Sequence, residues 1–273
     1  MPEGPEMYRV ARKLHADIAD KPLTEVWFAF NHLKKWQAPL SDSQVERVTT
    51  LGKALMIYFR TGEAIYTHNQ LYGRWRFSEP DRRPDTRRSL RLALSTPTRS
   101  ALLYSASDIE VIPASEIQSH PFIARAGLDI LSSEAGVDEV DAWLDEFPGQ
   151  RRRLGLLLLD QSFLAGVGNY LRSEILFLAG IPPDSRLVDL DAGRRRRLAE
   201  AAHRLMWRSV KTGGITLDAE RALALKRAGW TRREYRHYVF DREGQACHLC
   251  DSAIERTTVS GRRLYRCPGC QPD

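Results

Sequence analysis

The sequence predicts a multi-domain α+β protein: an N-terminal helix, an all-β domain, a helical domain and a small metal-stapled hairpin. Three observations predict it. Residues 5–19 space Met7, Val10, Ala11, Leu14 and Ile18 by threes and fours, the apolar stripe of an amphipathic helix. Between residues 23 and 112 the pattern becomes short β-rich runs, as in a sandwich or barrel. All four cysteines then fall in one C-x2-C-x16-C-x2-C pattern, Cys247, Cys250, Cys267 and Cys270.

Taken in order, the helix ends at Lys21-Pro22, where proline cannot continue it. Strands are expected at 25–30, 45–50, 54–59, 64–68, 73–77, 89–94, 100–104 and 109–112, with Gly, Pro, Asn or Asp in most gaps. The charged stretch 81–88 reads as a solvated hairpin loop. Pro113, Pro121, Gly127, Gly136 and Pro148 mark a connection between domains near 125–140, with a helix over 137–147. Helical spacing returns at 154–163, 170–179 and 192–212, and a short helix is expected within 215–226. Arg194 to Arg197 read as the wet face of the third of these. The expected domains are 1–125, 126–235 and the hairpin 236–273.

Composition narrows the function. The chain has 273 residues, 42% of them hydrophobic, and a formal net charge of +6 carried mostly by arginine. That excess suits a polyanionic partner, and arginine forks match phosphate oxygens. No apolar run approaches the ~20 residues of a membrane span. Glu3 and Glu6 stand where a secretory signal would be basic and then apolar. A soluble cytoplasmic protein is expected. In a reducing compartment the cysteine pattern favours one structural zinc, held by four thiolates, over two disulfides.

Several residues carry candidate chemistry. Removal of Met1 from Met1-Pro2-Glu3-Gly4-Pro5-Glu6 leaves a free secondary amine. Such an amine can attack an aldehyde-like carbon and form an iminium with no N–H to lose. The same residues would also suit the first turn of a helix. In Leu164-Ala-Gly-Val-Gly-Asn169, Gly166 and Gly168 permit a tight turn and close backbone approach, and Asn169 is a cap candidate. That helix start is either a phosphate site or an ordinary capped hairpin. Arg262 sits at the tip of the cysteine hairpin, against a phosphate or in solvent. Lys53, after Gly52, would ordinarily be a strand-end charge. His68-Asn-Gln-Leu-Tyr-Gly73 either displays Leu71 and Tyr72 as a base-unstacking wedge or folds onto the core.

Together these motifs, in this order and over essentially the whole chain, resemble the bacterial DNA glycosylase/AP lyase family that contains formamidopyrimidine-DNA glycosylase and endonuclease VIII. The 68–73 turn and Leu103-Tyr-Ser-Ala-Ser-Asp-Ile-Glu110 look like the endonuclease VIII branch. The resemblance implies an N-terminal helix with a β-sandwich, then a helical domain with a helix–two-turn–helix motif and a zinc-finger hairpin. It implies a monomer acting on double-stranded damaged DNA. Pro2 would be the nucleophile, Glu3 the acid/base that assists sugar ring opening, and Lys53 the partner in proton transfer and phosphate contact. Arg262 and Asn169 would grip phosphates, and Gln70, Leu71 and Tyr72 would fill the gap left by an everted base. Arg172 belongs to the same Asn-Tyr-Leu-Arg stretch, as a DNA-binding residue or a structural ion pair. The implied substrates are oxidised pyrimidines such as thymine glycol and dihydrouracil, cleaved by β,δ-elimination. The alternatives are a non-catalytic zinc-containing DNA-binding protein and, within the family, a formamidopyrimidine/8-oxoguanine glycosylase. Gly127-Leu128-Asp129 stands where the family often has Gly-Pro-Asp, and residues 213–235 match it least.

Overall fold

The computed structural model describes residues 2–80 and 82–272. The chain divides into two units, one of Pro2 with Met7–Arg125, the other of Glu3–Glu6 with the chain from Ala126 on.

The first unit is built on helix α1 (Gly4–Ile18) and eight strands: β1 (Glu25–Phe28), β2 (Val45–Leu51), β3 (Ala54–Phe59), β4 (Glu63–His68), β5 (Arg74–Ser78), β6 (Leu90–Ser95), β7 (Ser100–Tyr104) and β8 (Asp108–Pro113). They form two four-stranded antiparallel sheets, ordered β1-β6-β7-β5 and β2-β3-β4-β8. Phe28, Leu92, Leu94 and Leu103 of the first sheet share one buried cluster with Leu55, Ile57, Phe59 and Ile65 of the second. That shared cluster makes the unit a sandwich and not a barrel. Helix α1 adds Met7, Ala11, Leu14 and Ile18 to it, so Leu14→Ala would remove ~2–5 kcal/mol of packing. Strand β3 is buried on both faces, because Ala54, Met56 and Tyr58 pack under Ile117 and Ile123. Its unbroken apolar run Ala-Leu-Met-Ile-Tyr-Phe follows from that.

A 3-10 turn (Asn31–Trp36) and α2 (Gln37–Ser41) interrupt the expected β run. Leu33 and Leu40 anchor them, and the Gln37 side chain accepts the Phe28 N–H at 3.0 Å. A second 3-10 turn (Ala114–Ser119) and α3 (Pro121–Ala124) close the unit. Of the stretch expected as a solvated loop, Asp81 lies outside the described residues. The rest is an irregular loop in which Arg82, Arg83, Asp85, Arg87 and Arg88 are exposed, tethered where Arg83 pairs with Glu25 at 2.7 Å and Arg88 donates to the Tyr72 carbonyl at 2.7 Å.

The second unit contains α4 (Val137–Glu146), α5 (Leu154–Leu157), α6 (Asn169–Ala179), α7 (Ala192–Thr212), α8 (Ala219–Arg227), α9 (Arg232–Tyr235) and the hairpin β9–β10 (Glu255–Val259, Arg262–Arg266). The helix expected over 154–163 stops at Leu157. Beyond it the Asp160 carboxylate accepts the Ser162 N–H and hydroxyl, and Gln161 bonds Leu159, Gly166 and Val167 backbone groups. Side chains that satisfy the backbone locally compete with helix continuation. The helix expected from 215 starts at Ala219, because Asp218 caps it through the Arg221 N–H. The arginine face of α7 is not simply wet: Arg195 pairs with Asp141 and Asp145, and Arg196 with Asp138. Those carboxylates lie on α4, so the arginines join two helices.

Candidate active site and metal centre

In the first unit, the turn between β2 and β3 carries Gly52 with φ 58, a left-handed position that favours glycine. It delivers Lys53, only 6% exposed, into a cleft lined by Pro2, Met7, Lys53, His68, Asn69 and Gln70. Lys53 is thus no solvated strand-end charge. It shares that cleft with Pro2. His68, at the end of β4, accepts the Gln70 N–H on Nδ1 at 3.1 Å, which leaves its proton on Nε2. Burial lowers its pKa, with Lys53 adding to the effect and Asp108 opposing it. His68 and Asn69 were not singled out by sequence. Only their adjacency to the exposed Leu and Tyr pointed to them.

The 68–73 turn does not fold onto the core. Leu71 is 65% and Tyr72 69% exposed. Gln70 holds φ 48, and its side-chain oxygen accepts the Ser107 hydroxyl at 2.9 Å. Gly73 donates to the Asn69 carbonyl at 2.7 Å, and a Cβ on Gly73 would lie 2.6 Å from the Asn69 Cα. With Arg88 on the Tyr72 carbonyl, the turn is braced while its two large side chains stand in solvent. Apolar groups presented this way can occupy a gap in stacked bases.

In the second unit, Glu3 caps α6. Its carboxylate accepts N–H bonds from Gly168 (2.8 Å), Tyr170 (2.8 Å) and Leu171 (3.3 Å). Asn169, expected as the cap, is the first helical residue, and Gly168 occupies the cap position without a capping side chain of its own. The orphan amides of a helix start favour an anion, and here a carboxylate from the chain's third residue supplies it. Glycines make this possible. Gly4 donates to the Gly166 carbonyl at 2.8 Å, Gly166 has φ +91, and a Cβ on Gly168 would meet Glu3 at 2.4 Å. Glu6 accepts the Glu3 N–H at 3.0 Å and the Tyr170 hydroxyl at 3.1 Å, with Arg236 at 3.7 Å.

Arg172 is fully buried. Its guanidinium donates to the Gly155 carbonyl (2.7 Å), Asn169 Oδ1 (2.8 Å) and the Arg263 carbonyl (2.8 Å). It thus ties the α6 start to the C-terminal hairpin and fixes the Asn169 amide. Burial pushes its pKa down to about 10, helped by the like charge of Arg262 and opposed by Glu3. Arg262 is exposed at the start of β10.

The four cysteine sulfurs lie within 4.8 Å of one another, with Cys250 at 3.4 Å from both Cys267 and Cys270 and Cys247 at 3.8 Å from Cys270. No disulfide joins them. Tetrahedral zinc with Zn–S near 2.3 Å puts sulfurs about 3.8 Å apart, so this set fits such an ion. A Cβ on Gly269 would fall 2.9 Å from Cys250 Sγ, and Gln271 ties the Cys267 N–H to the Ile181 carbonyl. The knuckle is therefore anchored beyond α6.

Comparison with known proteins agrees with this arrangement. The formamidopyrimidine-DNA glycosylase N-terminal domain model matches residues 1–106, and the formamidopyrimidine-DNA glycosylase H2TH domain model matches residues 127–221. Proteins named endonuclease 8 from Klebsiella pneumoniae and Salmonella typhimurium LT2 are 42% and 43% identical to this chain over 271 residues, 99% of this chain and 100% of each relative. Lactococcus lactis formamidopyrimidine-DNA glycosylase bound to DNA containing an AP site is similar in structure, with TM-score 0.80 at 18% identity over 99% of this chain and 100% of that one. The same protein with DNA containing an oxidised pyrimidine gives TM-score 0.80 at 20% identity over 100% of both. The fold is that of a DNA glycosylase. The chain belongs to the formamidopyrimidine-DNA glycosylase/endonuclease 8 family.

Proposed function

We propose that this protein is a bifunctional DNA glycosylase and AP lyase of base excision repair that removes oxidised pyrimidines from double-stranded DNA. The observation that carries the reading is Pro2 beside buried Lys53 in one cleft, within a chain related over its full length to proteins named endonuclease 8.

The damaged nucleotide must leave the stack, at a cost of a few kcal/mol. Exposed Leu71 and Tyr72, with Gln70, offset that cost by filling the gap, while Asn169 and Arg262 hold flanking phosphates. Arg172 acts through Asn169, whose amide oxygen it holds. With Met1 removed, the Pro2 nitrogen attacks C1′, the glycosidic bond breaks, and the base leaves with a proton. Glu3 takes the proton that the attacking nitrogen releases and passes it to the ring oxygen as the sugar opens, and the nitrogen lone pair forms the iminium. The iminium acidifies the C2′ proton. Its loss expels the 3′ phosphate, and a second elimination expels the 5′ phosphate. Lys53 serves proton transfer at the sugar and contacts a neighbouring phosphate.

Cys247, Cys250, Cys267 and Cys270 would hold one zinc ion, which leaves the metal no open position and gives it a structural task. It would keep Arg262 rigid on a hairpin too small to be so alone. The bacterial relatives and the basic charge suit a monomer of the cytoplasm acting on the chromosome. No described helix is long and apolar enough to cross a membrane.

Cleavage of a thymine glycol duplex and an 8-oxoguanine·cytosine duplex, measured side by side, tests the substrate class. Preference for thymine glycol is expected, with phosphates on both sides of a one-nucleotide gap. Clear preference for 8-oxoguanine would overturn the pyrimidine assignment, and binding without cleavage would overturn the enzyme.

A further inference from the structure

Asn69 is buried, and its Oδ1 has no hydrogen-bond partner among the described residues. Its orientation is fixed chemically. The amide nitrogen lies 3.3 Å from Met7 Sδ, a sulfur that can only accept. The oxygen must therefore point the other way. Gly73, packed against the Asn69 backbone, prevents the residue from backing out. A buried carbonyl without a donor has lost its hydration with nothing in exchange.

The lining groups differ in what they can still give. The Gln70 side-chain oxygen is taken by Ser107, and its backbone N–H by His68. Pro2 is different. While Met1 is attached, its nitrogen is a peptide nitrogen with no hydrogen. Excision of Met1 creates an N–H donor in this cleft.

Resting on the glycosylase/lyase assignment, we infer that Asn69 Oδ1 accepts a hydrogen bond from the processed Pro2 amine and aims its lone pair. In the neutral amine, one N–H held by Oδ1 leaves the lone pair in a fixed direction. On attack at C1′ the nitrogen forms a bond to carbon and becomes a charged N–H centre, whose proton still faces Oδ1. The proton then leaves for the surrounding bases and the iminium forms without an N–H. Asn69 is a positioning residue in this step. It also joins the nucleophile to the turn that carries Leu71 and Tyr72.

The test uses full-length protein whose intact mass shows Met1 removed. Asn69→Leu keeps the shape and deletes the acceptor; Asn69→Asp keeps the acceptor and adds charge. Single-turnover cleavage of an abasic duplex at saturating protein is followed from acid to alkaline pH, alongside binding to a duplex with a tetrahydrofuran abasic analogue. Lys53 from the β2–β3 turn, His68 from β4 with Asp108 of β8 behind it, and Glu3 next in the chain are the charged groups around Pro2, and all remain unchanged. Asn69→Leu should slow cleavage about tenfold, since misaimed reactants lose rate steeply, with binding unchanged. Its acid limb should move to lower pH, because the protonated amine has lost an acceptor. Asn69→Asp should move the limb to higher pH, and does so even if the leucine variant fails to fold. Limbs that stay in place or move together, or binding losses that parallel the rate, would overturn the inference. If the unaltered protein forms no borohydride-stable adduct, the glycosylase/lyase assignment fails instead.

Discussion

Gly168→Ala tests whether the position of Glu3 matters, without changing Glu3. Gly168 has φ −133 and ψ −151, a negative φ open to alanine, so backbone strain is small. The added methyl would lie 2.4 Å from Glu3 Cδ and 2.6 Å from Oε1. Ordinary contact requires the carboxylate to retreat by about 1 Å. The N–H bonds to Gly168 and Tyr170, both 2.8 Å, would then stretch beyond hydrogen-bonding range. Each is a charge-assisted bond at a helix start, worth about 1.5–3 kcal/mol. With partial relaxation the loss should be about 3 kcal/mol, which lowers the Tm of a unit this size by roughly 6–12 °C. The chemical effect should be larger, since a displacement of about 1 Å costs on the order of 100-fold in rate. Single-turnover cleavage of a thymine glycol duplex, with thermal melting of the same sample, reads both. A variant with an unchanged rate and an unchanged Tm would refute the cap, and an unchanged rate alone would refute the role of Glu3.

Cys250→Ser, or a strong chelator, should release one zinc per chain by native mass spectrometry and weaken DNA binding at least tenfold, because the hairpin that carries Arg262 loses its staple. Leu71→Ala should leave stability within about 0.5 kcal/mol, as expected for an exposed side chain. It should slow processing of a duplex lesion about tenfold while sparing an abasic single strand, which has no stack to open. His237 is buried, and burial first, then Arg236, Arg232 and Arg242, holds its pKa well below the ordinary value of 6.5. The folded state therefore refuses a proton that the unfolded chain accepts. Stability should be full above about pH 6.5 and fall as the pH drops further. Melting from pH 7.5 to 5 should show that loss, and His237→Gln should flatten it.

Much of the fold was legible because its signals are local. The α1 stripe, the β runs and the cysteine spacing each follow from period or ligand count, and the apolar run of β3 is what a strand covered on both faces requires. What escaped depends on distant partners. Nothing near Gly168 announces that its helix is capped by a carboxylate 165 residues earlier in the chain, so Asn169 looked like the cap. The 154–163 stretch has helical spacing, yet Asp160 and Gln161 take its backbone groups for a turn. By its local sequence Lys53 resembles any strand-end lysine until Pro2 is folded into the same cleft. The Arg194–Arg197 run resembles a solvated face because the partners of Arg195 and Arg196 lie 54 and 58 residues away on α4. For the site, the family resemblance already paired Pro2 with Lys53; that His68 and Asn69 line the same cleft was not legible.

The proposed chemistry requires that the secondary amine of Pro2 form the covalent bond to deoxyribose. Incubation of protein with verified loss of Met1, abasic duplex DNA and borohydride, followed by peptide mass spectrometry, measures this directly. A single adduct is expected, its added mass mapping to Pro2 and absent when that nitrogen is acetylated. An adduct on a lysine, or full-speed strand cleavage by the acetylated protein, would contradict it.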